Sequence, residues 1–252
     1  MQLTEAQFER IADLLPRQRG NVRLGNLQVI NAILYVAANG CKWRALPEKY
    51  GKWNTVYTRM MRWSRAGVLD RVFEHLQRER LMRVRIEALC LDSSIMKVHP
   101  DGTGAPQKNS PQSIGRSRGG WSTKLHLVAA DDRNVVTWSL TPGQAGDAPE
   151  GRRLIEQLGP HHGRMALLMD SAYQDDATRA LACALGIVPI VPPNPQRRLP
   201  WEYDKRRYRQ RNRIERLFRG IKAWRRVFTR YDKLDAMFAA FVTIVLIAEI
   251  LR

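Results

Sequence analysis

Cysteine is scarce and poorly spaced for metal or disulfide chemistry. Cys41, Cys90 and Cys183 are the three in 252 residues, and none belongs to a CxxC pair. That pattern argues against a zinc site and against a disulfide framework. With no secretory leader, reduced packing thiols in a cytoplasmic protein are expected. Long apolar runs are also missing. The longest candidate, residues 237–251, carries Glu249 and falls short of the ~20 residues that span a bilayer. A buried C-terminal helix is expected there, and no membrane partner. No Walker-type glycine loop is present, so nothing in the chain asks for ATP. Acids are the other deficit: 24 Asp and Glu stand against 42 Lys and Arg, a net charge of +18 with a pI near 10.6. Such a surplus repels itself in a compact chain and is usually retained because a polyanion neutralises it. Nucleic acid is the leading partner; a merely solvated basic surface or an anionic membrane is the lesser alternative.

What is present divides the chain in two. Hydrophobic residues make up 44%, enough for a packed core. Residues 1–86 read as a small all-α module of helix-turn-helix character. Thr4 and Gln7 form a capping-box pattern, and Phe8, Ile11, Leu14 and Leu15 follow at helical spacing up to Pro16. A second helix over 24–38 is closed by Asn39-Gly40. A third is capped by Asn54 or Thr55 and runs to about Arg65, and a fourth spans 68–80. Arg59, Arg62 and Arg65 lie on the third helix as candidate DNA contacts, although such a module also suits dimerisation. Trp43, Trp53 and Trp63 are expected to fill its core.

Residues 87–252 change pattern. Strands are expected over 88–98, 121–129 (half-buried, by its alternation), 135–140, 165–169 and 187–191, with helices over 149–158 and 176–185 and a long helix after Pro200. The order is three strands, helix, strand, helix, strand, helix, a mixed α/β plan. Between the first two strands, residues 100–120 are rich in Gly, Ser and Pro and carry Lys108, Arg116 and Arg118. They read either as a solvated loop or as one that orders on phosphate.

Asp92 and Asp170 each follow an apolar strand run and each precede a serine. A buried carboxylate needs a cation or a donor. A single Asp at a strand end is usually a turn or cap residue; two of them favour a shared site. The third acid stands in a basic segment. From Lys205 to Lys233 there are 13 Lys and Arg against Glu215 and Asp232. Tyr208, Arg211, Glu215 and Lys222 are separated by three, four and seven residues. On one helix they fall within about 60° of each other, which a merely solvated basic helix does not explain.

The run Tyr208-x2-Arg211-x3-Glu215-x6-Lys222 resembles the Tyr-Arg-Glu-Lys signature of bacterial insertion-sequence transposases of the DDE type. Leu91-Asp92-Ser93 and Asp170-Ser171-Ala172-Tyr173 resemble that group's first two acidic motifs. Gly115 to Gly120 with Lys124 resembles its basic loop, and Cys41 to Pro47 with Trp53 to Tyr57 its N-terminal phrasing. The resemblance implies an α/β, RNase H-like mixed sheet flanked by helices, preceded by the helical domain. The first acid lies on the first strand, the second ends the fourth, and the third comes from a later helix. It also implies that Asp92, Asp170 and Glu215 are catalytic and bind two divalent cations, Mg2+ with Mn2+ as a substitute. Hard cations suit carboxylate oxygen, and a pair of them serves phosphodiester cleavage and joining. Tyr208, Arg211, Lys222, Arg116, Arg118, Lys124, Arg59 and Arg62 would then contact double-stranded DNA, both the element's terminal inverted repeats and the target. A homodimer or higher oligomer on that DNA is expected. Asp147 reads as a loop or helix-cap residue, since Ala148-Pro149 follows it. The rivals are an RNase H-like nuclease that cuts without joining, and a DNA-binding descendant without catalysis.

Overall fold

The computed structural model describes residues 2–20, 22–81, 86, 88–104, 112–161 and 165–252. Lys108 and the expected domain boundary at Glu87 lie outside them. Two compact units emerge. One gathers Met1–Glu79, Lys97–Gln112 and Gly220–Arg252; the other gathers Arg80–Met96 and Ser113–Arg219.

The first unit is mainly helical. In α1 (Glu5–Ala12) the Thr4 side chain accepts from the Gln7 amide at 3.3 Å and the Gln7 side chain accepts from the Thr4 amide at 2.9 Å, a complete capping box. α2 (Asn26–Asn39) ends where Gly40 turns left-handed at φ 66°. A side chain there would also meet the Arg225 Cβ at 3.0 Å, so glycine serves both the turn and the approach. α3 (Trp53–Arg65) starts one residue before the expected caps, with Lys52 at the cap position and no side-chain cap bond. Asn54 and Thr55 therefore lie inside the helix. α4 (Val68–Leu81) follows through Ala66 and Gly67, a tight helix-turn-helix.

The C-terminal segment completes this unit. α10 (Asp235–Leu251) packs against α2 and α3, and Phe238, Phe241, Val242 and Val245 are fully buried. Each such side chain contributes about 1.5–3 kcal/mol. Glu249, the acid within this apolar run, is buried but satisfied: it accepts from Trp224 Nε1 at 3.0 Å and from Arg252 at 2.9 Å. The N-terminal helices and the C-terminal helix thus share one core although the chain separates them. Deleting residues 1–79 should expose the apolar sides of α10 and give an aggregating product that binds a hydrophobic dye. A soluble, monodisperse truncate on gel filtration would contradict that packing.

The second unit is built on a sheet. β1 (Ala88–Val98) pairs in parallel with β5 (Ala166–Met169), and β5 in parallel with β6 (Val188–Ile190). On its other side β1 neighbours β3 (Gly120–Ala129), which pairs antiparallel with β2 (Gly115–Ser117) and with β4 (Val135–Pro142). β2 was not foreseen; it forms where the Gly-rich loop doubles back on β3. A two-residue β7 (Thr229–Arg230), also unforeseen, pairs with the far end of β1 in the first unit. α5 (Asp147–Leu158) and α6 (Asp176–Ala184) cover one face, where Leu89, Leu91, Val128, Leu154, Leu167, Met169 and Tyr173 form the core. Side chains alternate between faces, so Cys90 and Asp92 point the other way, towards residues 205–219. The result is the expected mixed α/β architecture, a sheet flanked by helices: Asp92 lies on the first strand and Asp170 just past β5.

Two expectations change here. β3 is buried on both faces, not one: Ser122, Lys124 and His126 are 1%, 8% and 0% exposed. Its polar face is buried because each member finds a partner, Ser122 on Ser117 at 2.8 Å, His126 on Thr141 at 2.8 Å and Lys124 on Asp147 at 3.0 Å. The long helix after Pro200 is also broken. α7 (Lys205–Tyr208) gives way to a 3-10 turn over Arg209–Arg211 before α8 (Asn212–Lys222). Contacts to β1 hold this tighter turn, the Gln210 carbonyl facing the Cys90 thiol at 3.9 Å and Arg211 reaching Asp92. α9 (Arg225–Phe228) follows in the first unit.

Candidate active site

The parallel register sets two acids side by side. Leu91 pairs with Met169, so Asp92 and Asp170 are the next residues on adjacent strands and project to the same face. Asp170 also caps the 3-10 turn Ser171–Tyr173, its carboxylate accepting from the Ala172 amide at 2.9 Å. Asp92 accepts from the Ser93 amide at 2.8 Å through one oxygen and from Arg211 at 2.6 Å through the other.

Arg211 is the hinge of the site. Its second terminal nitrogen donates to Glu215 at 2.7 Å, one turn further along α8. A single guanidinium therefore ties Asp92 to Glu215. The Tyr208 ring lies 6.0 Å from that guanidinium and meets Tyr203 edge-on at 5.4 Å. Sequence reasoning placed Arg211 on phosphate; it gave no sign of this bridge, because helical spacing shows the neighbour at i+4 but not the strand opposite.

The electrostatics follow the crowding. Burial pushes the Asp92 carboxyl above its usual range, Arg211 and the Ser93 amide oppose that rise, and Asp170 adds to it. Burial works against the charge on Arg211, yet Asp92, Tyr208 and Glu215 hold its pKa above the usual value. Tyr173, buried behind the acids, has its phenol raised by burial and then by Asp147, Asp92 and Asp170. The helix α5 can come this close to its ring only through Gly151, where a Cβ would stand 2.5 Å from Tyr173. Glu215 is the open member, its side chain 52% exposed.

The basic residues sort into two kinds. Arg116 and Arg118 are exposed at the β2–β3 hairpin, and no acid pairs with either among the described residues; half-exposed Trp121 lies directly across from Arg116. Arg59 donates to the Leu24 carbonyl at 2.8 Å and lines a groove with Arg17, Gln18, Asn26 and Arg62. Lys222 is half-buried at the end of α8. Lys124 differs from the expectation of a DNA contact: it is 8% exposed and its ammonium is bound by Asp147 at 3.0 Å and the Ala145 carbonyl at 2.6 Å. Asp147 is not the helix cap either, since Gly146 occupies that position. Within the basic run 205–233, Arg226 and Arg230 are buried and paired, Arg226 with Asp232 and Arg230 with Asp235.

Three carboxylates are the right donors for a hard divalent cation, and one positive group already bridges two of them. No cluster of three metal-ligating side chains closes among the described residues; Arg211 stands between Asp92 and Glu215. No helix among those residues is long and apolar enough to cross a membrane.

Known protein families match both parts of the chain. Residues 3–73 match a family described as a putative transposase of the IS4/5 family, and residues 85–250 match the transposase DDE domain. The putative transposase for insertion sequence element IS6501 of Brucella ovis is 33% identical over 123 residues, covering 48% of this chain and 92% of that protein. The uncharacterized protein y4sN of Sinorhizobium fredii is 35% identical over 106 residues, covering 41% of this chain and 82% of that one. Among solved structures, a piggyBac transposase synaptic complex with hairpin DNA aligns over 77% of this chain at 8% identity and a TM-score of 0.41. The chain spans 48% of that protein's length. A Mos1 mariner paired-end complex with Mn aligns over 73% of this chain and 65% of that one, at 14% identity and a TM-score of 0.27. The match over residues 85–250, most of the chain, places this protein in the DDE transposase family, as an insertion-sequence transposase.

Proposed function

We propose that this transposase cuts DNA at the ends of its element and joins the released 3′-OH ends to target DNA, with Asp92, Asp170 and Glu215 as its catalytic acids. The observation that carries the reading is that the parallel register sets Asp92 and Asp170 side by side while one guanidinium ties Asp92 to Glu215 from a distant helix. The three carboxylates would hold two divalent cations, Mg2+ or Mn2+, which supply charge stabilisation at the attacking and leaving oxygens.

The protein's own groups then have separable tasks. Asp92, on β1, and Asp170, just past β5, set the position of the scissile phosphate, and half-exposed Glu215 completes the shell from α8. Arg211 offers a planar fork suited to two oxygens of one phosphate, so the group that bridges the acids can also receive DNA. Tyr208 and Lys222 would flank it on neighbouring phosphates. Arg116 and Arg118, exposed and with no acid paired to either among the described residues, suit the DNA backbone, as do Arg59 and Arg62 in the helical unit. Double-stranded DNA, terminal repeats and target alike, is the partner, engaged by a dimer or higher oligomer.

Incubating the purified protein with labelled element ends, a target duplex and Mg2+ tests the reading. Cleaved ends and joined products are expected, and both should vanish with a chelator. Cleavage without joined product would instead identify a nuclease. Affinity for the ends should fall steeply with salt, each phosphate contact adding about −0.9 to the logarithmic slope. A binding constant unchanged between low and physiological salt would remove the basic surface from the argument.

A further inference from the structure

Asp147 is an acid that the catalytic reading leaves unused, and its surroundings are unlike those of a helix-end residue. It is the first residue of α5, yet its side chain makes no cap. Its Oδ1 instead accepts from the Ser93 hydroxyl at 2.6 Å and from Lys124 Nζ at 3.0 Å. His126 Nδ1 stands 4.0 Å from the same oxygen, on a ring with no exposed surface. Burial lowers that imidazole to about 4, against the pull of Asp147. His126 is therefore neutral at neutral pH, and the lysine carries the positive charge of the cluster.

Ser93 makes the cluster relevant to the site. It is the residue after Asp92, and its backbone N–H donates to Asp92 Oδ1 at 2.8 Å. Alternation sends the Ser93 side chain to the α5 face while Asp92 faces α8. The hydroxyl bond to Asp147 thus pins the peptide that orients the Asp92 carboxylate from behind. Lys124 is itself held by the Ala145 carbonyl at 2.6 Å, just before α5. The chain of contacts runs β3, α5, β1.

We propose that Asp147 is a positioning residue for the catalytic centre: ion-paired to Lys124, it fixes Ser93 and through it the aim of Asp92. This rests on Asp92 being a cation-binding acid, as proposed above. Groups behind a ligand that fix its direction typically govern 10- to 100-fold of metal affinity.

The test measures Mn2+ binding by calorimetry on the full-length protein without DNA, alongside the Mn2+ dependence of cleavage. Ser93→Ala and Asp147→Ala should each weaken Mn2+ binding about tenfold and raise the Mn2+ needed for half-maximal cleavage in step. Asp147→Asn keeps an oxygen for the Ser93 hydroxyl and should lose less. Unchanged Mn2+ affinity in Ser93→Ala and Asp147→Ala, with only a lower unfolding temperature in the latter, would make the cluster a fold contact and overturn the proposal. If Asp147→Ala fails to fold, Ser93→Ala, which removes one hydroxyl, decides alone. Asp92→Asn separates the two levels. If it leaves Mn2+ binding and cleavage intact, the catalytic reading itself falls; if it abolishes both while Ser93→Ala matches the parent protein, only the positioning role falls.

Discussion

Asp92→Asn is expected to lower cleavage of element-end DNA about a thousandfold or more while raising, not lowering, the unfolding temperature at neutral pH. The loss of activity follows from removing one of the acids proposed to hold the cations, whose charge stabilisation would be worth several kcal/mol; each 1.36 kcal/mol is tenfold in rate. The gain in stability follows from the direction of the Asp92 shift, raised above 3.8 mainly by burial. Below that value the carboxyl is protonated in both folded and unfolded chains and has no effect. As pH rises from there through the raised folded value, the unfolded chain releases its proton first, and folding is increasingly penalised. At neutral pH the penalty is complete. Asparagine carries no charge and escapes it, while Arg211 keeps its bond to Glu215. Thermal unfolding at pH 7 and at pH 3 checks the sign: the variant's advantage should shrink at the acid end. An Asp92→Asn protein that is less stable at pH 7 would mean that the Arg211 pairing outweighs burial, and a variant that still cleaves would remove Asp92 from the site.

The largest effect on stability is expected at Asp232, far from the acids in sequence motif but inside the basic run. Asp232 binds Arg226 through two bonds, at 3.0 and 3.2 Å, and both side chains are 7% exposed. Arg226 also donates to the Cys41 carbonyl at 3.2 Å and lies over the rings of Tyr231 and Phe241. Asp232→Ala leaves that guanidinium buried without its counter-charge, which costs about 3–5 kcal/mol. Replacing both partners together, as Arg226→Met with Asp232→Leu, removes the stranded charge and should recover much of that loss. Urea unfolding of the single and double variants measures both. A single variant within 1 kcal/mol of the parent, the range of an exposed pair, would show that water reaches Arg226.

Much of this protein is readable in one dimension. Thr4 and Gln7 announce α1, Gly40 closes α2, and the apolar runs before Asp92 and Asp170 mark β1 and β5. A lone acid on the Tyr208–Lys222 run points to the third carboxylate. These features are local: capping, period and apolarity act between residues a few positions apart, so their physics is contained in the sequence.

What the sequence could not supply is the partner of each charge. Lys124, Arg226 and Arg230 look like surface cations in a basic chain, yet all three are buried, because Asp147, Asp232 and Asp235 meet them there. The Arg211 bridge and the Ser93–Asp147 bond exist only because β1 lies between α5 and the turn before α8. β2, β7 and the packing of α10 against α2 and α3 have the same origin. Charges and strand edges are satisfied by whatever the tertiary arrangement brings within about 3 Å, and no spacing along the chain encodes that distance. The sequence by itself determined most of the elements and the identity of the three acids to be tested; the tertiary structure decided which cations remain exposed and which are held inside the fold.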